Sequence, residues 1–117
     1  MAGYGANVIK VEPPTGDPFR FQPAWISWNR GKKGIVLDLS TAEGREQNRR
    51  ADIVVESGTP GTLDRWGVGL EQRDQLWPKQ ILVSITPHGQ TGGREQLPGN
   101  DLTAYAYSGW ASVNGLA

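Results

Sequence analysis

Short apolar runs, rich in Val and Ile, recur along the chain and end at Pro, Gly, Ser or acidic residues. This pattern is typical of strands, because amphipathic helices need apolar positions three or four residues apart. The sequence therefore predicts four strands, which cover residues 6–12, 35–39, 52–56 and 81–86.

The polar segments that follow the strands carry helix signals. Ser40-Thr41-Ala42-Glu43 has the spacing of a capping box and predicts a helix over residues 43–50, although that segment offers no apolar stripe for packing. Thr59-Pro60-Gly61 opens a turn of helix that closes at Gly67, and residues 70–77 form another short helix.

The last predicted helix has a clear helical period. Asn100 or Asp101 is expected to cap it, and Asn114-Gly115 to end it. Its apolar positions recur at i, i+3, i+4, i+7, i+8 and i+11, the spacing of one buried helix face; they are Leu102, Tyr105, Ala106, Gly109, Trp110 and Val113.

The elements follow the order strand, loop, strand, helix, strand, helix, strand, helix. Such alternation predicts an α/β fold, a partial Rossmann-like and mostly parallel sheet with flanking helices. No internal repeat or linker divides the 117 residues, so one domain at most is expected.

Composition narrows the function classes. The 12 basic residues equal the 12 acidic ones, which argues against nucleic-acid and membrane partners, and no segment has the length of a membrane span or a signal-peptide core. With no Cys and a single His, the chain has no Cys or His metal cluster and no thiol nucleophile. A cytoplasmic location is the expectation.

The stretch from Ala51 to Gly69 is the main candidate site, because it combines a strand, a small-residue loop and a helix start. Open α/β sheets bind ligands at this end of their strands. Ser57 and Gly58 leave room for a ligand near the backbone, Arg65 supplies a charge and Trp66 a flat apolar surface. Together they predict a site for a phosphate and a ring, although Arg65 alone would also complement its helix dipole.

Two further features have competing interpretations. In residues 19–34 aromatic and basic side chains alternate, which suits either contacts with bases and phosphates or aromatic anchors of a long loop with solvated cations. His88 follows a strand, where it is either an acid or base or, more commonly, a solvated loop residue. Neither a phosphate-loop motif nor a nucleophile-elbow motif is present.

Ordered motifs give the chain a family resemblance. Residues 5–14, GANVIKVEPP, with GDPFR behind them, resemble the start of the family III CoA-transferases, the group of formyl-CoA transferase, carnitine CoA-transferase and α-methylacyl-CoA racemase. NRGKK, LDL with TAEGR, DIVVE, PGTLDR, SITP, GQTG and NDL continue the resemblance in family order along essentially the whole chain.

The resemblance implies that the chain is a single fragment of the CoA-binding large domain. CoA or acyl-CoA would be a substrate, with no permanently bound cofactor, and carboxylic acids would be the other substrates. No metal site is assigned, although the residue counts leave a carboxylate site open. The family favours a basic residue near Ser40 and an Asn-Phe pair at Ser57-Gly58, so these departures weaken the expected binding. The implied contacts with CoA are the backbone near Pro13, and Leu37, Ser40, Ser57, Gly58, Arg65 and Trp66.

The resemblance also implies the chemistry of the parent reaction, in which an Asp attacks the acyl-CoA thioester and CoA passes to an acceptor acid. By motif order that Asp lies beyond the helix of residues 100–115, so no catalytic residue is assigned, and neither Asp38 nor Asp101 replaces it. The complete enzyme would be a homodimer. The racemases place a His-Asp pair at Asn100-Asp101, and because Asn cannot transfer a proton, racemase chemistry is disfavoured.

Departures in length lead to the expectation of an incomplete chain. Family members begin with an extra strand and helix start before Gly5, and the loop after Asp17 and the helix after Glu43 are shorter here than in the family. We therefore expect this chain to be inactive in isolation. The alternative is a non-catalytic remnant that binds CoA or a nucleotide weakly, or only associates with a partner.

Overall fold

The computed structural model describes residues 1–114. The strands are β1 (Ile9–Glu12), β2 (Lys33–Val36), β3 (Ile53–Glu56) and β4 (Ile81–Ser84). The α-helices are α1 (Trp25–Asn29), α2 (Ala42–Asn48), α3 (Thr62–Arg65), α4 (Leu70–Leu76), α5 (Asp101–Tyr107) and α6 (Trp110–Val113), and short 3-10 helices cover Ala2–Tyr4 and Pro18–Phe21.

The strands form two parallel pairs, which confirms the mostly parallel α/β prediction. β1 pairs with β2, so that Ile9 lies opposite Lys33, and β3 pairs with β4, so that Ile53 lies opposite Ile81. A helix-containing segment connects the strands of each pair, as parallel strands require. The chain divides into two compact units, residues 1–48 and residues 49–117, and each holds one strand pair.

The second strand begins earlier than the sequence predicts. Residues 35–39 were expected, but β2 covers Lys33–Val36. The reason is backbone pairing, because the Lys33 amide donates to the Val8 carbonyl at 2.9 Å. Parallel pairing therefore extends through Lys33 and Gly34, whose side chains carry no strand signal.

Helix α2 is capped and packed differently from the prediction. Its N-terminal hydroxyl is that of Thr41, which accepts from the Gly44 amide at 3.1 Å, so the capping box assigned to Ser40 is wrong. The helix does bury a face, formed by Gly44 and Asn48. A β-carbon on Gly44 would overlap the Asp38 carbonyl, so the missing side chain replaces an apolar stripe by close backbone approach.

The predicted C-terminal helix is broken in two. Asn100 caps α5, because its side chain accepts from the Thr103 amide and the Thr103 hydroxyl accepts in return, as in a capping box. Gly109 then takes a φ of 83°, which ends the helical path before α6 begins. The predicted terminator Gly115 lies outside the described residues.

The expected burial of the last helix is also wrong, because Leu102, Trp110 and Val113 are exposed within this chain. Among residues 1–114, Val68 is the one fully buried apolar side chain, and the buried polar ones are Glu12, Asn48 and Arg73. Most of these buried side chains are therefore polar or charged, and hydrogen bonds contribute to their packing. None of the helices described in residues 1–114 is long and apolar enough to cross a membrane.

Candidate functional site

A cavity of about 330 Å³ opens in the second unit at the carboxyl ends of β3 and β4. This is the edge where the sequence predicts a ligand, and the volume lies within the usual range of small-molecule pockets. Two carboxylates, Glu56 and Asp64, contribute the charges of its lining, and no cation lines it in the described part of the chain. Its other polar side chains are those of Thr59, Thr62, Ser84 and Gln90.

The predicted site residues of the second unit do not line this cavity, although their neighbours in the sequence do. Ser57 is exposed, and the Gly58 amide donates to the Glu56 carboxylate at 2.6 Å. The small-residue loop therefore presents fewer free amides than expected. Arg65 ends α3 and donates from Nη2 to the Thr62 hydroxyl at 2.9 Å, and the next residue, Trp66, is 39% exposed.

In the first unit, the backbone brings Pro13 and Leu37 to the same end of the β1–β2 pair. Pro13 follows β1 directly, and its carbonyl accepts from the Gly16 amide at 2.8 Å, which closes a tight turn. The Leu37 amide donates to the Glu12 carbonyl at 3.0 Å, so Leu37 continues the pairing beyond β2. Pro13 and Leu37 thus lie at the carboxyl ends of neighbouring strands.

Ser40 lies in a turn held by side chains. Its amide and its hydroxyl both donate to the Asp38 carboxylate, at 2.9 and 2.6 Å, and these hydrogen bonds, the hydroxyl first, lower the pKa of Asp38. The guanidinium of Arg45 folds back from α2 and donates to the Ser40 carbonyl at 2.7 Å. The positively charged side chain of Arg45, from the following helix, therefore lies next to Ser40.

The aromatic and basic segment is internally packed. Lys10 and Arg20 approach the Trp25 ring, with 4.7 and 5.3 Å from Nζ and Cζ to the ring centroid. Phe19 and Trp28 pack against each other at 5.7 Å between ring centroids. These contacts favour the second interpretation, in which aromatic side chains anchor the loop, with the correction that Arg20, a cation of the segment, lies on a ring together with Lys10 from β1.

His88 is half-buried and packs against the Tyr107 ring in a T-shaped arrangement, with centroids 5.4 Å apart. Arg94 lies over the same ring at 5.3 Å. These contacts join the loop after β4 to α5. In the described part of the chain, no group of three or more metal-ligating side chains is positioned to hold an ion.

Sequence reasoning missed Arg45 as a neighbour of Ser40, and Glu12 and Arg20 as partners. A signal was present in each case. Arg45 follows Ser40 at a distance that spans the first turn of a helix, and Glu12 and Arg20 carry opposite charges on the two sides of a turn. Hydrophobic periodicity does not reveal such contacts, because polar side chains make them across turns.

Comparison with known proteins matches the chain to one family, CoA-transferase family III, over residues 1–117. Succinyl-CoA:(R)-benzylsuccinate CoA-transferase subunit BbsE of Thauera aromatica is 39% identical over 99% of this chain and 32% of its own length. The human succinyl-CoA:glutarate CoA-transferase is 37% identical over 98% of this chain and 30% of its own length.

Solved structures agree with these relatives. Rv3272 from M. tuberculosis superposes with a TM-score of 0.83 at 34% identity, covering 100% of this chain and 35% of that protein. A CAIB/BAIF family protein from Brucella suis gives a TM-score of 0.78 at 38% identity, covering 90% of this chain and 32% of that protein. The chain thus spans about a third of the length of these relatives.

Proposed function

The chain belongs to CoA-transferase family III, and we propose that it carries part of the CoA-binding surface of an enzyme that transfers CoA between carboxylic acids. The observation that carries this proposal is the match over the whole chain to a family whose relatives are CoA-transferases by name. The substrates on this proposal are an acyl-CoA and a carboxylic acid.

Each unit contributes its own contacts in this proposal. In the second unit, the cavity has carboxylate and hydroxyl oxygens, which suit the hydroxyl and amino donors of a nucleoside, whereas Arg65 outside it suits a phosphate. Ser57, Gly58 and Trp66 complete that surface. In the first unit, the contacts are Pro13, Leu37 and Ser40. Arg45 supplies the positive charge that the family favours near the position of Ser40.

The proposed role is binding and not bond making. The aspartate nucleophile of the parent reaction is assigned to polypeptide beyond these 117 residues, and Asp38 already accepts two hydrogen bonds from Ser40. Racemase chemistry is not proposed, because Asn100 caps α5 and its amide group cannot transfer a proton. Mass spectrometry after incubation with an acyl-CoA is expected to detect no acyl-enzyme.

The binding proposal is tested by titration calorimetry with CoA and with adenosine 3′,5′-bisphosphate, its nucleotide half. Both are expected to bind, and Arg65→Met is expected to weaken both about tenfold, since a charge-assisted contact contributes roughly 1.4 kcal/mol. Lys79→Met, which removes an exposed cation outside the proposed site, is the matched control and is expected to leave affinity unchanged.

A second candidate function is association with another polypeptide without ligand binding. The observation that favours it is an apolar strand face: Ile53, Val55, Ile81 and Val83 alternate along β3 and β4 and are 43%, 54%, 57% and 39% exposed. A folded chain that gives no heat with millimolar CoA would contradict the binding proposal and leave this one.

A further inference from the structure

The carboxylate of Glu12 is the most enclosed acidic group of the first unit, with 3% of its side chain exposed. It accepts from Arg20 Nε at 2.7 Å and Nη2 at 3.1 Å, a two-pronged contact, and from the Asp17 amide at 3.2 Å. We call this arrangement of Glu12, Arg20 and the Asp17 amide the Glu12 clasp. A buried carboxylate with three donors is tightly fixed in position.

The clasp closes the turn that follows β1. Pro13 to Gly16 form that turn, and the clasp joins the residue before it to two residues after it. Lys10 also binds the Asp17 carboxylate, and the ring of Trp25 lies against both cations. Side-chain contacts from residues before and after the turn therefore stabilise it in addition to its one backbone hydrogen bond.

The main chain of Glu12 fixes a second segment. Its carbonyl accepts from the Leu37 amide at 3.0 Å, so the same residue holds the turn through its side chain and Leu37 through its backbone. Pro13 and Leu37 are two of the proposed CoA contacts. One buried residue thus contacts both segments, the turn through its side chain and Leu37 through its main chain.

The clasp is not itself an anion site. Lys10 and Arg20 are balanced by Glu12 and Asp17, so the four formal charges sum to zero. Arg20 uses Nε and Nη2 for Glu12, and its pKa is raised and that of Glu12 lowered chiefly by this hydrogen bond. The pair therefore stays charged and mutually satisfied at neutral pH.

We propose that Glu12, acting with Arg20, is a positioning residue for CoA: it holds the Pro13 turn and Leu37 in the geometry that receives the ligand. This inference rests on the proposed CoA-binding function. It assigns the effect of Arg20 to the geometry of its two hydrogen bonds and not to attraction between its charge and the phosphates of CoA.

The test compares Arg20→Lys, which keeps the charge, with Arg20→Met, which removes it. Arg20 is 53% exposed, so both variants are expected to fold, whereas a change at buried Glu12 would leave its partly buried donors without that partner. The readouts are the CoA dissociation constant, measured well below the unfolding midpoint, and hydrogen exchange at the Asp17 and Leu37 amides. Lys79→Met serves again as the control.

Both Arg20 variants are expected to bind CoA about tenfold more weakly than the wild type, since Lys cannot make the two parallel bonds. Exchange at Asp17 is expected to accelerate, while exchange at Leu37, held by backbone pairing, changes less. Full affinity in Arg20→Lys with loss in Arg20→Met would overturn the proposal in favour of charge attraction. Full affinity in both would overturn it as well, and a wild type that binds no CoA would overturn the proposed function with it.

Discussion

Each of the two units buries one charged side chain, and the two charges are satisfied in different ways. In residues 1–48, Glu12 is matched by Arg20 through two hydrogen bonds. In residues 49–114, Arg73 is 1% exposed and forms no ion pair with a described carboxylate. Its Nε donates to the Val68 carbonyl at 2.6 Å.

The remaining hydrogen bonds of Arg73 go to neutral groups, and the charge of Glu56 attracts the guanidinium without forming an ion pair with it. Its Nη1 donates to the Gln80 side chain, whose amide nitrogen donates in turn to the Ala51 carbonyl at 2.8 Å. The guanidinium lies 5.6 Å from the Trp77 ring centroid, and Nη2 has no hydrogen-bond partner among residues 1–114. Burial lowers the pKa of Arg73. The first unit therefore depends on a matched charge pair, whereas the second depends on the volume and reach of one long side chain.

The largest expected effect is that of Arg73→Ala. It removes the buried side chain beside Val68 and leaves the Val68 carbonyl without its donor, so we expect the second unit to lose about 3 kcal/mol of unfolding free energy. Arg73→Met keeps most of the aliphatic volume without a buried charge and is expected to cost much less. Urea unfolding measures both, and equal losses would show that hydrogen bonds outweigh volume here.

Gly44→Ala tests whether the first unit depends on more than its charge pair. A β-carbon would overlap the Asp38 carbonyl, so we expect a loss of about 2 kcal/mol despite the better helix propensity of Ala. Gly3→Ala, where a β-carbon meets no atom within 4 Å, is the matched control. If Gly44→Ala proves neutral in urea unfolding, the close approach of α2 contributes nothing to the first unit.

The strands, the Asn100 cap and the buried face of α2 show which features could be predicted from the sequence. Strand content and the capping role of Asn100 followed from local pattern, because β-branched runs and cap residues act on their own neighbours. Parallel pairing followed from the alternating order of strands and helices. The buried face of α2 did not follow, because Gly44 and Asn48 give no apolar period. A helix that packs through a missing side chain leaves no trace in hydrophobicity.

The prediction of one buried C-terminal helix was wrong for the opposite reason. Its apolar stripe was strong, yet Gly109 breaks the helix and Leu102 and Trp110 are exposed. Periodicity shows which face of a helix is apolar. It does not show whether the chain itself provides the residues that pack against that face. In the candidate site, Arg65 and Trp66 could be singled out by residue type, whereas the clasp and the contact of Arg45 with Ser40 depend on side chains reaching across turns.

The smallest effect expected is the acid sensitivity of the first unit, because water reaches the half-exposed Arg20 and weakens the pair. Hydrogen bonds from Arg20 to Glu12 and from Lys10 to Asp17 are the chief causes that lower the pKa values of these two carboxyls. A lowered folded-state pKa adds stability that is complete above the unfolded values, 4.5 and 3.8, and disappears as pH falls through the folded values.

Amide signals of the first unit, followed by NMR as pH falls from about 6 to about 2, are therefore expected to show loss of folded structure in the acid range. Arg20→Met is expected to be less stable at neutral pH and to show a flatter pH profile, because the Glu12 carboxylate loses the hydrogen bonds that chiefly lower its pKa and keeps only the Asp17 amide and the more distant Lys10. Arg73→Met alters no carboxyl of the first unit and is expected to keep the wild-type profile there. An equally steep profile in Arg20→Met would contradict the assignment of the acid sensitivity to the Glu12 clasp, and would remove the contrast between the charge pair of one unit and the single buried arginine of the other.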